Sequence, residues 1–317
     1  MRLSLLVALC LPALLAQAPY TTITLAGKLP TAEGEPAKEA VLRRLQAISA
    51  SPDGDIFFSE SAPNRIRQLK EDGTLRTISE RPSTFLAAGR GVLYFGTTVS
   101  LESWRDGALT LLAPASGSPI RPRIVGLTTH FGLAHISENS TKSVLTSVGP
   151  GAFTPVATRG VALPGLLRYR DSGLYIVDGG RQVRKSDGTL IAGNGLPGTP
   201  IDGALAAKSP LGLITQLAVS PEGEVAMANP TDNQLLITRV DQDGLLRIWY
   251  DSARPSATIR SIAGIEYAPN GGLYVLDVTA RRILLLHRSG EIEPTAGRVP
   301  FAGDGEPAVD GLLNSPT

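Results

Sequence analysis

Two stretches far apart in the chain follow one plan: SPDGDIFFSESAPNRIRQLKEDGTLRTI at 51–78 and APNGGLYVLDVTARRILLLHRSGEIEPTAG at 268–297. Each has a turn, an apolar run ending in an acid, a polar loop, an Arg-led apolar run, a second turn and a last run. Asp53 to Asp72 and Asn270 to Ser289 both span 19 positions. A unit that recurs at this scale constrains architecture before any single residue does, because one copy cannot bury its own apolar faces and must stack on the next.

Runs that alternate or are solidly apolar, bounded by Gly, Pro, Asp or Asn, recur at one place in six modules: 56–59, 92–95, 133–136, 174–177, 225–228 and 273–276. They read as second strands. First strands are expected near 45–49, 85–88, 124–128, 166–169, 214–219 and 262–267. Third strands follow each second strand across a polar loop. Fourth strands fall near 75–79, 109–112, 154–158, 189–192, 245–250 and 292–296. The expected fold is all-β: a β-propeller of six blades, each of four antiparallel strands, with radial stacking protecting the sheet edges. The Ala-rich connectors at 36–42, 202–207 and 307–313 suit short helical turns.

The ends repeat each other. Ala26, Gly27 and Pro30 match Ala296, Gly297 and Pro300 at an offset of 270, and Gly34, Glu35, Pro36 and Ala37 match Gly305, Glu306, Pro307 and Ala308 at 271. Six modules over 270 positions give 45 residues per module. A further repeat begins at 296–317, and residues 23–26 read as a fourth strand lacking its own first three. A C-terminally truncated larger propeller is the favoured explanation, ahead of a complete six-bladed ring with a redundant tail.

Residues 1–18 have the plan of a cleavable signal peptide: Arg2, an apolar run shorter than a membrane span, then Ala16-Gln17-Ala18. Residues 19–317 form the propeller, expected to be secreted or periplasmic. Cleavage removes Cys10, the only cysteine, so no disulfide or thiolate metal site is expected. It also removes Arg2, turning 30 basic against 29 acidic residues into 29 against 29. No clustered basic excess points to nucleic acid.

The string DGDIFFSESAPNRIRQLKEDGTLRTI resembles the NHL repeat, and AGRVPFAGDGEPAVDGLLNSPT is similar to the segment between repeats of bacterial NHL proteins. The match is good over 23–80 and 262–317, fair over 163–250 and poor over 84–158. The resemblance implies a propeller, commonly six-bladed, used mainly as a binding scaffold. A minority of related propellers are enzymes, among them metal-dependent lactonases.

The residues that end the second strands form a column: Glu60, Gly96, Ser137, Asp178, Asn229 and Asp277. Five positions on lies another: Arg65, Leu101, Lys142, Val183, Gln234 and Arg282. Glu60, Asp178, Asn229 and Asp277 are the candidate metal ligands, since carboxylate and amide oxygens from several blades suit calcium. The competing role is a turn device, in which each acid accepts backbone N–H groups and a basic partner spans the loop. The pairing of acid with Arg in two modules favours that role. His130, His135 and His287 are too scattered for a catalytic zinc, and are expected in a loop, a strand and a strand end. No nucleophile motif is present. Aromatic residues fall mostly on strands, leaving Tyr20 and Phe301 as exposed candidates for sugar contact. The expected function is a non-catalytic scaffold that presents propeller loops to a protein or small-molecule partner. The alternative is a calcium-dependent hydrolase of the propeller lactonase type.

Overall fold

The computed structural model describes residues 33–113, 123–138, 142–231, 234–255 and 257–297. Residues 1–18, 23–26, 307–313, Tyr20 and Phe301 lie outside this set, and with them the signal peptide, the orphan strand, the third connector and both sugar-contact candidates. Among the described residues no helix is long and apolar enough to cross a membrane.

Six four-stranded antiparallel sheets form the six blades of a β-propeller. Blade 1 holds β1 (Leu45–Ala50), β2 (Ile56–Glu60), β3 (Arg65–Leu69) and β4 (Leu75–Ser79); blade 2 holds β5 (Phe85–Gly89), β6 (Val92–Thr97), β7 (Ser100–Arg105) and β8 (Ala108–Ala113). Blade 3 holds β9 (Ile124–His130), β10 (Leu133–Glu138), β11 (Ser143–Gly149) and β12 (Ala152–Pro155); blade 4 holds β13 (Pro164–Arg170), β14 (Gly173–Asp178), β15 (Gln182–Lys185) and β16 (Leu190–Ala192). Blade 5 holds β17 (Gln216–Val219), β18 (Val225–Ala228), β19 (Leu236–Val240) and β20 (Leu246–Asp251); blade 6 holds β21 (Ile262–Tyr267), β22 (Leu273–Asp277), β23 (Arg282–Leu286) and β24 (Ile292–Ala296).

The turns explain why these residues make these hairpins. In blade 1 Ser51 N–H donates to Asp55 O and Gly54 N–H to Ser51 O, while Ser51 Oγ accepts from Asp55 N–H. Blade 5 repeats all three bonds at Ser220, Gly223 and Glu224. Gly54 and Gly223 sit at φ +93° and +90°, where a Cβ is strained. The hairpin between third and fourth strands closes the same way at Lys70–Thr74 and Asp241–Leu245. In blade 3 the residue pairs Gly149↔Ala152 form so tight a turn that β12 starts at Ala152, two residues ahead of the expected 154.

First strands pack in the order β1, β5, β9, β13, β17, β21 and back to β1, which closes the ring. Apolar side chains alternate between the two sheet faces, so burial happens between blades. Six apolar clusters fill six seams, one each between blades 1 and 2, 2 and 3, 3 and 4, 4 and 5, 5 and 6, and 6 and 1. Among the described residues the seam between blades 3 and 4 has the smallest apolar core, with Val144, Leu167, Leu174 and Ile176 at its centre.

Two connectors use one device. Gly193 N–H, after β16, donates to Ala206 O, and Gly297 N–H, after β24, donates to Ala37 O. Ala206 and Ala37 open short 3₁₀ turns, Ala206–Lys208 and Ala37–Glu39, as the Ala-rich composition suggests. Their own N–H groups donate to Gly244 O and Gly73 O in the outer hairpin of the following blade. The junction from blade 6 to blade 1 is therefore built like the internal junction from blade 4 to blade 5.

Candidate functional site

Second strands finish, and first strands begin, at one end of the ring, here the loop end. The four acids and amides singled out in the sequence all lie there. Glu60 is fully buried at the end of β2 and accepts from Arg43 N–H, just ahead of β1. Its other oxygen lies 3.5 Å from Arg65 Nη2 and 3.7 Å from Arg67 Nη1. Burial pushes the Glu60 carboxyl up, against the downward pull of the Arg43 N–H, Arg65 and Arg67. Asp178 ends β14 and accepts from Ala162 N–H (3.0 Å) and Leu163 N–H (2.7 Å), which lead into β13; Arg184 Nε lies 3.5 Å from its second oxygen. Asp277 ends β22, accepts from Ala280 N–H at 3.3 Å, and faces Arg282 Nη2 at 3.4 Å.

Asn229 follows β18. Its Oδ1 accepts from Thr238 Oγ1 (3.1 Å), and its Nδ2 is buried with no hydrogen-bond partner. Ser137 donates instead to Gly165 O across the seam to blade 4. Glu60 and Asp178 thus tie a strand end to the chain entering their own blade, Ser137 ties one to the next blade, and Asn229 and Asp277 hold the strand or loop that follows them. The basic partners sit five residues on in blades 1 and 6, but six on in blade 4, where Val183 occupies the fifth position. Among the described residues no three His, Cys, Asp or Glu side chains gather as a metal site.

Around the same end, Val99, Leu163 and Leu213 are exposed at 58%, 47% and 50%. Val99 lies in the β6–β7 turn. Leu163 and Leu213 flank the Gly179-Gly180 turn: Gly179 N–H donates to Leu163 O, and Ile214 N–H to Gly180 O. An open cleft of about 430 Å³ lies between blades 5 and 6, lined by Thr215, Thr231, Gln234, Arg260 and Ser261 among others.

At the opposite end, here the turn end, sequence reasoning missed a charged cluster. Glu266 of β21 is 2% exposed, with Arg170 Nη2 of β13 at 2.8 Å and Arg168 Nε at 3.7 Å. Blade 5 separates these strands, so the contact crosses the central channel. The available signal was charge in first strands that are otherwise apolar or small, LLRYR at 166–170 and IAGIEY at 262–267.

A second set lies beside it: Glu224 accepts from Tyr267 Oη at 2.9 Å, with Arg288 Nη1 at 3.1 Å and Arg239 Nη1 at 3.4 Å. Phe131, 89% exposed, marks blade 3 at this end.

His130 ends β9 rather than lying in a loop, and stacks on Tyr169 of blade 4 with ring centroids 3.9 Å apart. His135 in β10 has Nδ1 2.8 Å from Thr146 Oγ1 and its ring 5.0 Å from Tyr169. Burial, helped by His130, holds His135 down to about 4. His287 follows β23, in blade 6.

No protein-family model matches the chain, and no curated protein matches it in sequence. Solved structures do match in fold. A structural-genomics protein of unknown function from Bacteroides thetaiotaomicron VPI-5482 is 16% identical, with a TM-score of 0.61 over 82% of this chain and 74% of that one. An auxiliary nutrient binding protein from Bacteroides ovatus ATCC 8483 is 11% identical, with a TM-score of 0.60 over 86% and 76%. Another auxiliary nutrient binding protein, from Bacteroides thetaiotaomicron VPI-5482, is 13% identical, with a TM-score of 0.55 over 80% and 70%. At such identities the likeness shows the six-bladed propeller fold alone.

Proposed function

We propose that this chain is an exported, NHL-like propeller that binds a small nutrient-type molecule at its loop end without transforming it. The observation that carries the reading is the composition of that end. Exposed Val99, Leu163 and Leu213 share this end of the ring with a polar cleft lined by Thr231, Gln234 and Arg260. Apolar contact area with a few convergent polar groups is the usual make-up of a ligand site. The acids of the same end have backbone N–H groups and arginines as partners, which leaves them holding loops rather than poised for proton transfer. The fold likeness to nutrient-binding propellers supports the same class. The signal-like residues 1–18 support export.

The test is a thermal-shift and calorimetric screen of the full chain against mono- and oligosaccharides, amino acids, short peptides and lactones. The expected result is saturable stabilisation by one class with no product formed. Leu213→Asp and Arg260→Ala should abolish it, and Phe131→Asp at the other end should not. Calcium-dependent hydrolysis of a lactone, lost in Asp178→Ala and Asn229→Ala, would overturn the proposal and install the calcium reading with Glu60, Asp178, Asn229 and Asp277 as ligands.

A further inference from the structure

We propose that the turn end of the channel holds a site for a small oxyanion, a carboxylate or phosphate group, built from Arg168 and Arg170 of blade 4. Two guanidinium groups meet one carboxylate there, that of Glu266, so the cluster carries one positive charge in excess. Glu266 is buried, and among the described residues it is the acid paired with both Arg168 and Arg170. Asp171, at the adjoining turn, is exposed to solvent and faces His130. An excess charge taken out of water is costly unless a counter-charge joins it.

The hydrogen-bond inventory agrees with the charge count. Arg168 Nη1 donates to Leu167 O and Arg170 Nη1 to Tyr169 O, which fixes both side chains along β13. Arg170 Nη2 donates to one oxygen of Glu266, while Arg168 Nε, buried, lies 3.7 Å from the other and makes no hydrogen bond. A guanidinium presents donors in a planar fork that matches an oxyanion. Arg170 is 25% exposed, so the cluster is reached from solvent at the turn end. The set around Glu224 repeats the imbalance at the same end of the ring, with Arg239 and Arg288 on its single carboxylate.

This inference concerns the opposite end from the nutrient cleft and does not rest on it. The experiment is calorimetric titration of the full chain with sodium acetate and, separately, inorganic phosphate, at constant ionic strength against chloride. At least one anion should bind saturably, and comparing the two arms separates carboxylate from phosphate. Arg168→Gln makes the cluster neutral and should weaken binding at least tenfold. Glu266→Gln raises the excess charge and should tighten it at least tenfold. Saturable binding to neither anion, equal affinity in Arg168→Gln, or weaker affinity in Glu266→Gln overturns the proposal. Should Arg168→Gln not fold, Arg170→Gln and the opposite effect of Glu266→Gln still decide it.

Discussion

Acid should open the seam between blades 3 and 4, and His135 should account for a measurable share of that effect. Its ring lies within the seam, 5.0 Å from Tyr169 of blade 4, beside the smallest of the six apolar cores among the described residues. Burial, with His130 adding to it, depresses its folded value from 6.5 to about 4. A depressed folded value means that the unfolded chain takes up the proton first. The contribution is therefore complete above pH 6.5 and is lost as pH falls from there toward 4. Linkage over those two values gives a loss of roughly 2 kcal/mol between pH 7.5 and pH 5, and about 3 kcal/mol once both states are protonated. The assay is urea unfolding followed by tryptophan fluorescence at both pH values, for the native sequence and for His135→Asn and His135→Gln. The variants lose the Tyr169 ring contact at every pH, so their absolute stability falls. The quantity that matters is the difference between pH values, which should shrink by roughly 2 kcal/mol. An undiminished pH difference in both variants, or an NMR titration placing His135 near 6.5, would refute the reasoning.

Three other outcomes are expected. Gly193→Ala and Gly297→Ala, at φ +82° and +86°, drive a Cβ into Arg181 O and Arg281 O, so each should cost more than Gly54→Ala, where φ is +93° but the space is open. Chemical denaturation should give about 1 kcal/mol for the open position and upward of about 2 kcal/mol for the crowded ones. Glu60→Gln removes the charge that faces Arg65 and Arg67, and should destabilise by about 3 kcal/mol near neutral pH in the same assay. Leu167→Ala empties the thin seam and should cost about 2–5 kcal/mol, with hydrogen exchange rising first in β9 and β13.

The fold was readable because its causes are local. Ser51-Pro52-Asp53-Gly54 and Ser220-Pro221-Glu222-Gly223 close the same three hydrogen bonds, and both strings are visible in the sequence. Period-two alternation then assigns each strand its two faces. Most strand limits moved by a residue or two, because charged ends such as Glu60, Asp178 and Arg282 still pair within the ladder. The turn-end cluster was not readable for the opposite reason. Arg168 and Glu266 are 98 positions apart, and only the closure of the ring sets blade 4 facing blade 6 across the channel. The loop-end cleft was hidden likewise, since Thr215 and Ser261 meet only once blades 5 and 6 dock.

A closed cycle of six seams has a further property. In a linear stack of repeats, the failure of one interface frees everything beyond it. In a ring, a blade can leave only when the seams on both of its sides fail together. The small apolar core between blades 3 and 4 is thus flanked on both sides by larger ones, and its loosening leaves the circle held by the five seams that remain.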